Sequence, residues 1–212
     1  MSQQPVVIGF DLDMTLLDTR PGIAATWRAL AARTGVPIDA DLAVTRLGPP
    51  LRQEMAEWFP PERVEEAVGI FRALYVDHAI TPAVALPGAL EALASVRRVP
   101  ARIVVITSKL GRLAEAHLAH LGIAVDRVYG DVFHAGKAQV LREIGATAYV
   151  GDHVADMQAA ALAGIPGVGV TTGPCSAEEL RAAGAAVVYP DLHPFPAFLQ
   201  GMISVGRVVS GD

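Results

Sequence analysis

The chain has 212 residues, room for one large domain or a domain carrying an insert, and its 52% hydrophobic and 18% charged content describes a soluble globular protein rather than a disordered one. A formal net charge of −5, with Arg97-Arg98 as the longest basic run, excludes a broad nucleic-acid-binding surface, because phosphate backbones reward clustered Lys and Arg. The lone Cys175 cannot close an internal disulfide, no apolar segment reaches the about 20 residues that span a bilayer, and Met-Ser-Gln-Gln-Pro lacks the basic start and apolar run of a signal peptide, so a cytoplasmic protein with no membrane partner is expected.

In chain order, the first apolar run is Val6-Val7-Ile8-Gly9-Phe10. Similar runs follow at Arg102 to Thr107, Thr147 to Gly151, Gly167 to Thr172 and Ala185 to Tyr189. None alternates polar with apolar, as suits strands covered on both faces of a parallel sheet. The stretch from about residue 20 to 85 offers helices and no convincing strand. Pro21 suits a first helical turn, and Ile23, Trp27, Leu30 and Ala31 make a stripe ended by Gly35. Leu51 to Phe59 and Pro61 to Ile80 are two further helical stretches, with Trp58 and Tyr75 on their apolar sides as core residues. Packing of these helices against one another would bury the stripes. From residue 87 to 190 strand and helix alternate, which predicts a doubly wound α/β sheet binding its ligand at the carboxyl ends of the strands. Within that region Leu110 to Leu121 is a helix stopped by Gly122, with His117 and His120 read as surface residues. Ser176 and Glu179 make a capping box for a later helix that Gly184 closes.

Chemistry concentrates just beyond the strand candidates. Asp11 and Asp13, two apart, point the same way past the first strand, and like charges so close require a cation or a shared proton. Thr107 ends another strand, where its hydroxyl can donate to a phosphoryl oxygen or cap a helix, and Ser108 and Lys109 follow. Lys137 opens a helix, where the dipole disfavours a cation and suggests another use. Asp152 lies in a loop after Tyr149-Val150, and Asp156 comes one helical turn later on the same side. Carboxylates converging from two strand ends make an oxygen-rich cluster that suits Mg²⁺.

The order Asp-x-Asp-x-Thr, an apolar run ending in Thr, a Lys, then Gly-Asp-x-x-x-Asp resembles the four motifs of the haloacid dehalogenase-like superfamily over residues 6 to 190. Ala85-Leu86-Pro87-Gly88, Thr107-Ser108-Lys109 and Arg46-Leu47-Gly48-Pro49-Pro50 are similar to segments of its phosphoglycolate phosphatase-like members. The resemblance implies an α/β core of residues 1–17 and 85–212 and an α-helical cap of residues 18–84. It implies that Asp11 attacks phosphorus to form an aspartyl-phosphate, and that Asp13 protonates the leaving oxygen and then activates water. Thr107 and Lys137 would hold phosphoryl oxygens, while Ser108, Lys109, Arg46 and Gly48 would contact a small phosphorylated metabolite. Mg²⁺ would be held by Asp11, the Asp13 backbone carbonyl and Asp152, with Asp156 a ligand through water or an anchor.

Two residues depart from the family pattern: Met14 stands where Gly is usual, and His153 where a small hydroxyl residue is common. The second acid, Asp13, separates the chain from the dehalogenases, and an insert from Pro21 to Thr81 without Lys separates it from the phosphonatases. A sugar phosphomutase retains both acids and is the alternative enzyme; a non-catalytic phosphate-binding module is the alternative outside enzymes.

Overall fold

The structure is a computed structural model that describes residues 6–209, with side chains described through residue 204. Residues 1–5 and 210–212, the ends of the expected core, lie outside the described residues, as does the reading of the N-terminus for a signal peptide. Six strands form one parallel sheet: β1 (Val6–Phe10), β4 (Ala101–Ile106), β5 (Arg127–Tyr129), β6 (Ala148–Gly151), β7 (Gly167–Val170) and β8 (Ala185–Tyr189), in the order β5-β4-β1-β6-β7-β8. β1 is flanked by β4 on one side and β6 on the other, with Gly9 opposite both Val104 and Tyr149. The sheet order reverses direction at β1, the place where such folds leave a crevice at the strand ends.

Both sheet faces are covered, which accounts for the uniformly apolar strands. On one face Ile8, Phe10, Ile103, Val105 and Val150 pack under α5 (Ala89–Arg97), α6 (Gly111–His120) and α10 (Phe195–Val209). On the other, Val7, Val104, Ile106 and Tyr149 pack under α7 (Ala135–Glu143) and α8 (Val154–Ala163). The capping box at Ser176 opens α9 (Ala177–Ala182) as the sequence predicts.

The doubly wound class read from the sequence is the class found. Between β2 (Leu17–Asp18) and β3 (Val84–Ala85), a two-residue antiparallel ribbon, every element is a helix: α1 (Arg20–Thr34), α2 (Ala40–Val44), α3 (Leu51–Met55) and α4 (Pro61–His78). They share a core in which Trp27, Leu30, Met55 and Phe71 are buried, and the Trp27 and Phe71 rings pack at a tilt of 53° with centroids 4.7 Å apart. This second cluster also takes in Leu113 of α6, so the insertion rests on the sheet domain.

Several expectations need correction. The helix expected over Leu51 to Phe59 stops at Met55, beyond which the Glu57 and Trp58 N–H groups donate three residues back, to Glu54 and Met55, in a tighter turn that leads to Pro60 and α4. α2 was not anticipated; it is nucleated by Asp39, whose carboxylate accepts the Leu42 N–H at 2.9 Å. β5 has three residues on the sheet edge and too little apolar pattern to register. His117, expected on the surface, is fully buried in the seam beneath α4.

Candidate active site

The site is assembled at the carboxyl ends of the three central strands. β1 delivers Asp11, anchored by its N–H donating to the Val150 carbonyl at 2.8 Å. β6 delivers Asp152, which accepts the Thr15 hydroxyl at 2.7 Å. Gly173 lies so close to Asp152 that an added Cβ would fall 1.8 Å from its Oδ2, so this wall of the site admits only glycine. Asp156 sits in the first turn of α8, its carboxylate accepting the His153 N–H at 3.2 Å while His153 Nδ1 accepts the Ala155 N–H. Carboxylate oxygens of Asp11, Asp152 and Asp156 lie within 4.8 Å of one another, and all three residues are buried.

Lys137 enters from α7, its ammonium 2.7 Å from Asp156 Oδ1 and 3.1 Å from Asp11 Oδ1. One cation faces three carboxylates. Burial pushes the Asp11 carboxyl up to about 7; Lys137 pulls it back down, while Asp156 and Asp13 push it further up. Burial, with Asp11 and Asp156 nearby, raises Asp152 well above the usual carboxylate range. Burial opposes the charge of Lys137 too, yet Asp11 and Asp156 more than offset it and hold the ammonium well above its ordinary value. Asp11 Oδ1 is buried and has no aligned hydrogen-bond donor among the described residues. A cluster short of positive charge, built from hard oxygens and containing an orphaned acceptor, fits a divalent cation such as Mg²⁺.

Asp13 is placed differently. Its carboxylate stands outside the acidic triad, accepts the Thr19 hydroxyl at 2.5 Å and lies 3.0 Å from the Lys109 ammonium. Lys109 also donates to the Tyr75 hydroxyl at 2.6 Å, and Tyr75 reaches His117 Nε2 at 2.9 Å. Burial and Lys109 depress His117 to about 4, so its ring is neutral and Nε2 accepts the Tyr75 hydroxyl proton. Burial likewise raises the Tyr75 hydroxyl to about 12, keeping it a donor. This polar file joins the site to both the insertion and the sheet domain. Met14, where a glycine is usual, adopts φ 58 and is buried, with its carbonyl accepting the Thr172 hydroxyl.

Thr107 is buried at the end of β4, its Oγ1 accepting the Lys109 N–H at 3.2 Å. Ser108 donates to the Gly48 carbonyl at 2.9 Å, a direct link from the sheet domain to the insertion. Gly48 has φ 129, and a Cβ there would approach the His153 ring at 2.7 Å. The loop touches the site through a residue with no side chain to spare. Arg46 lines the same cavity: its Nη2 binds Glu54 at 2.6 Å and its guanidinium lies over the Trp58 ring at 5.5 Å, while its Nε is buried without an acceptor among the described residues. The cavity, about 390 Å³, opens between the insertion and the strand ends and has Asp11 and Asp13 at its floor. Tyr75, His117, Thr15, Thr19 and Glu54 escaped sequence reasoning. Only Thr15 carried a local signal, as the fifth residue of Asp-x-Asp-x-Thr.

A family model for haloacid dehalogenase-like hydrolases matches residues 8–161. Over 217 residues the chain is 29% identical to the phosphoglycolate phosphatase of Caulobacter vibrioides, covering 89% of this chain and 86% of that protein. Over 122 residues it is 33% identical to the tyrosine-protein kinase PtkA of Mycobacterium tuberculosis, covering 57% of this chain; the match spans only 42% of that protein's length. Among solved structures, a haloacid dehalogenase-like family hydrolase from Streptococcus pneumoniae superposes with a TM-score of 0.80 at 23% identity, covering 94% of this chain and 98% of that one.

Proposed function

Because the chain belongs to the haloacid dehalogenase-like hydrolase family, we propose that it is a Mg²⁺-dependent phosphatase that hydrolyses a small phosphate monoester in the cytoplasm through an aspartyl-phosphate intermediate. The reaction type is that of a phosphoglycolate phosphatase, the activity named for the Caulobacter relative. The likeness to PtkA covers too little of that protein to bring its kinase activity here.

In this reading residues 1–17 and 85–212 form the core that carries the chemistry, and residues 18–84 form the cap that encloses the leaving group. Asp11 attacks phosphorus, and its carboxylate oxygen replaces the ester oxygen. Asp13, on the cavity side, gives a proton to the departing oxygen and then takes one from the water that cleaves the acyl-phosphate. Lys137 neutralises phosphoryl oxygens, and the Thr107 hydroxyl, whose oxygen already accepts the Lys109 N–H, is free to donate to one. Ser108, Lys109, Arg46 and Gly48 wall the space beyond phosphorus. Mg²⁺ would be held by Asp11, the Asp13 backbone carbonyl and Asp152, with Asp156 behind them or bound through water, and supplies charge neutralisation at the phosphoryl group when bound.

One observation carries the reading: three buried carboxylates within 4.8 Å of one another gather around Lys137, and one of them, Asp11, reaches the floor of the cavity. The test is phosphate release from an aryl phosphate with Mg²⁺ and with excess chelator. Release that chelator stops is expected. Equal rates would remove the metal from the mechanism, and no release from a broad ester panel would leave a phosphate-binding module in place of an enzyme.

A further inference from the structure

Beyond phosphorus, the cavity that holds Asp11 and Asp13 is walled by the insertion, and the make-up of that wall bears on the leaving group. Its apolar side is formed by Ile23 and Trp27 of α1, Val68 and Phe71 of α4, and Leu110 and Leu113 at the start of α6. Its cations number four, Arg46, Arg52, Arg72 and Lys109, against four lining carboxylates, Asp11, Asp13, Glu54 and Asp131.

None of the four cations is without a carboxylate partner. Lys109 is held 3.0 Å from Asp13 and gives a second hydrogen bond to Tyr75. Arg46 is held through Nη2 2.6 Å from Glu54, which also accepts the Trp58 indole N–H at 2.9 Å, so the carboxylate is fixed from two sides while Arg46 Nε is buried without an acceptor among the described residues. At the rim, Arg72 lies 3.4 Å from Asp131 and Arg52 lies 2.8 Å from Glu65. The pairs of Arg52 and Arg72 are exposed and exchange at little cost, so the selection falls on Lys109 and Arg46. A carboxylate brought in there on a leaving group must share a cation whose charge Asp13 or Glu54 already offsets, leaving an excess of negative charge beside it as it leaves water. An apolar leaving group needs no counter-charge and covers the aromatic surface.

We propose, resting on the phosphatase reading above, that the substrate class is phosphate monoesters with an uncharged, largely apolar leaving group of aryl or branched-alkyl size, and that Glu54 enforces this by neutralising Arg46. The chemistry at phosphorus is unchanged from the preceding section; only the alcohol that departs is specified. Glycolate, with its carboxylate next to the ester, is a poor fit to this wall.

The experiment uses two non-hydrolysable phosphonates with Mg²⁺, benzylphosphonate and phosphonoacetate, and measures binding by calorimetry, which does not depend on turnover. Wild-type protein is expected to bind benzylphosphonate about tenfold or more tightly than phosphonoacetate. In Glu54→Gln the freed Arg46 should improve phosphonoacetate binding several-fold and leave benzylphosphonate nearly unchanged, narrowing the ratio. Turnover of benzyl phosphate and phosphoglycolate is measured alongside. Tighter binding of phosphonoacetate by wild type, or equal binding, overturns the proposal. So does a folded Glu54→Gln that leaves the ratio where it was, and if that variant does not fold, the wild-type ratio alone decides. Hydrolysis of phosphoglycolate in preference to benzyl phosphate would sink the leaving-group proposal while the phosphatase reading stands. Failure to bind either phosphonate or to hydrolyse either ester would take down both.

Discussion

Asp11 and Asp13 are two residues apart and are held by different partners, which separates the roles proposed for them. Asp11 is in contact with Lys137 and the acidic triad, whereas Asp13 is turned toward Thr19 and Lys109. Asp11→Asn keeps the shape and removes the nucleophilic oxygen. It should abolish turnover while the thermal midpoint stays close to that of the wild type, and no labile phosphate should be detectable by mass on the peptide containing residue 11. Asp13→Asn removes proton transfer and the charge facing Lys109, and leaves the nucleophile in place. With an ordinary alkyl ester it should lose about 10²–10⁴-fold in rate, and much less with an activated aryl phosphate whose oxygen leaves without a proton. Steady-state rates on the two esters decide, and near-normal turnover in Asp11→Asn would end the nucleophile assignment. The acidic residues were legible in the sequence because each follows an apolar run that had to be a buried strand, so direction and depth came with the motif. What holds Asp13 was not legible. Lys109 read as part of a motif, but its bond to Tyr75 joins residues 34 apart, and nothing local announces it.

At the level of elements, the seam between α4 and α6 depends on a hydroxyl. Tyr75 accepts from Lys109 and donates to His117, so its oxygen satisfies two buried groups from the sheet domain with one atom of the insertion. Tyr75→Phe preserves the ring packing against Phe71, 5.9 Å away, and deletes that oxygen. The free energy of unfolding should fall by about 1–3 kcal/mol, since Lys109 loses a hydrogen bond and His117 Nε2 is left buried without one. Denaturant unfolding of the two proteins checks this, and an unchanged midpoint would mean that water enters the seam freely. The helical character of the insertion was readable from its stripes at three- and four-residue spacing. The seam was not, because Tyr75 as a buried aromatic looks the same in sequence whether its hydroxyl faces water or another domain. The short elements were lost for a related reason: α2 has five residues and β5 three, too few for a period to repeat.

Across the whole molecule, acid should weaken the fold partly through His117. Its pKa is about 4 folded and near the ordinary 6.5 unfolded, so between these values the unfolded chain binds the proton that the native one refuses. That contribution to stability is complete above about pH 6.5 and is lost as pH falls toward 4. The groups around the ring are Lys109, Asp13, His120 and Tyr75. Asp11 and Asp152 act in the opposite sense, since carboxyls raised by burial favour the native state at low pH. The two trends overlap in metal-free protein, so the informative quantity is a difference. The thermal midpoint of His117→Gln should decline less than that of wild type from pH 6.5 to pH 4, and parallel declines would place the proton elsewhere. The doubly wound class was legible from strands alternating with helices. That the strand ends meet beneath a charge-neutral wall was not, since neutrality there comes from pairs such as Arg46 with Glu54 and Arg72 with Asp131 that only the folded chain brings together.

The antiparallel pair Leu17–Asp18 and Val84–Ala85 has one more consequence. The polypeptide leaves the sheet domain and re-enters it at adjacent points, so the residues between can lengthen, shorten or change sequence without altering the register of a single central strand. Asp11, Lys137, Asp152 and Asp156 all lie outside that loop of chain, while Ile23, Trp27, Phe71, Arg46 and Glu54 all lie within it. In the proposed reading, most changes between codons 19 and 83 therefore fall on the wall of the cavity and leave the acidic triad and its lysine untouched; Thr19 and Tyr75, which hold Asp13 and Lys109, are the places where the two stretches of gene are tied to each other.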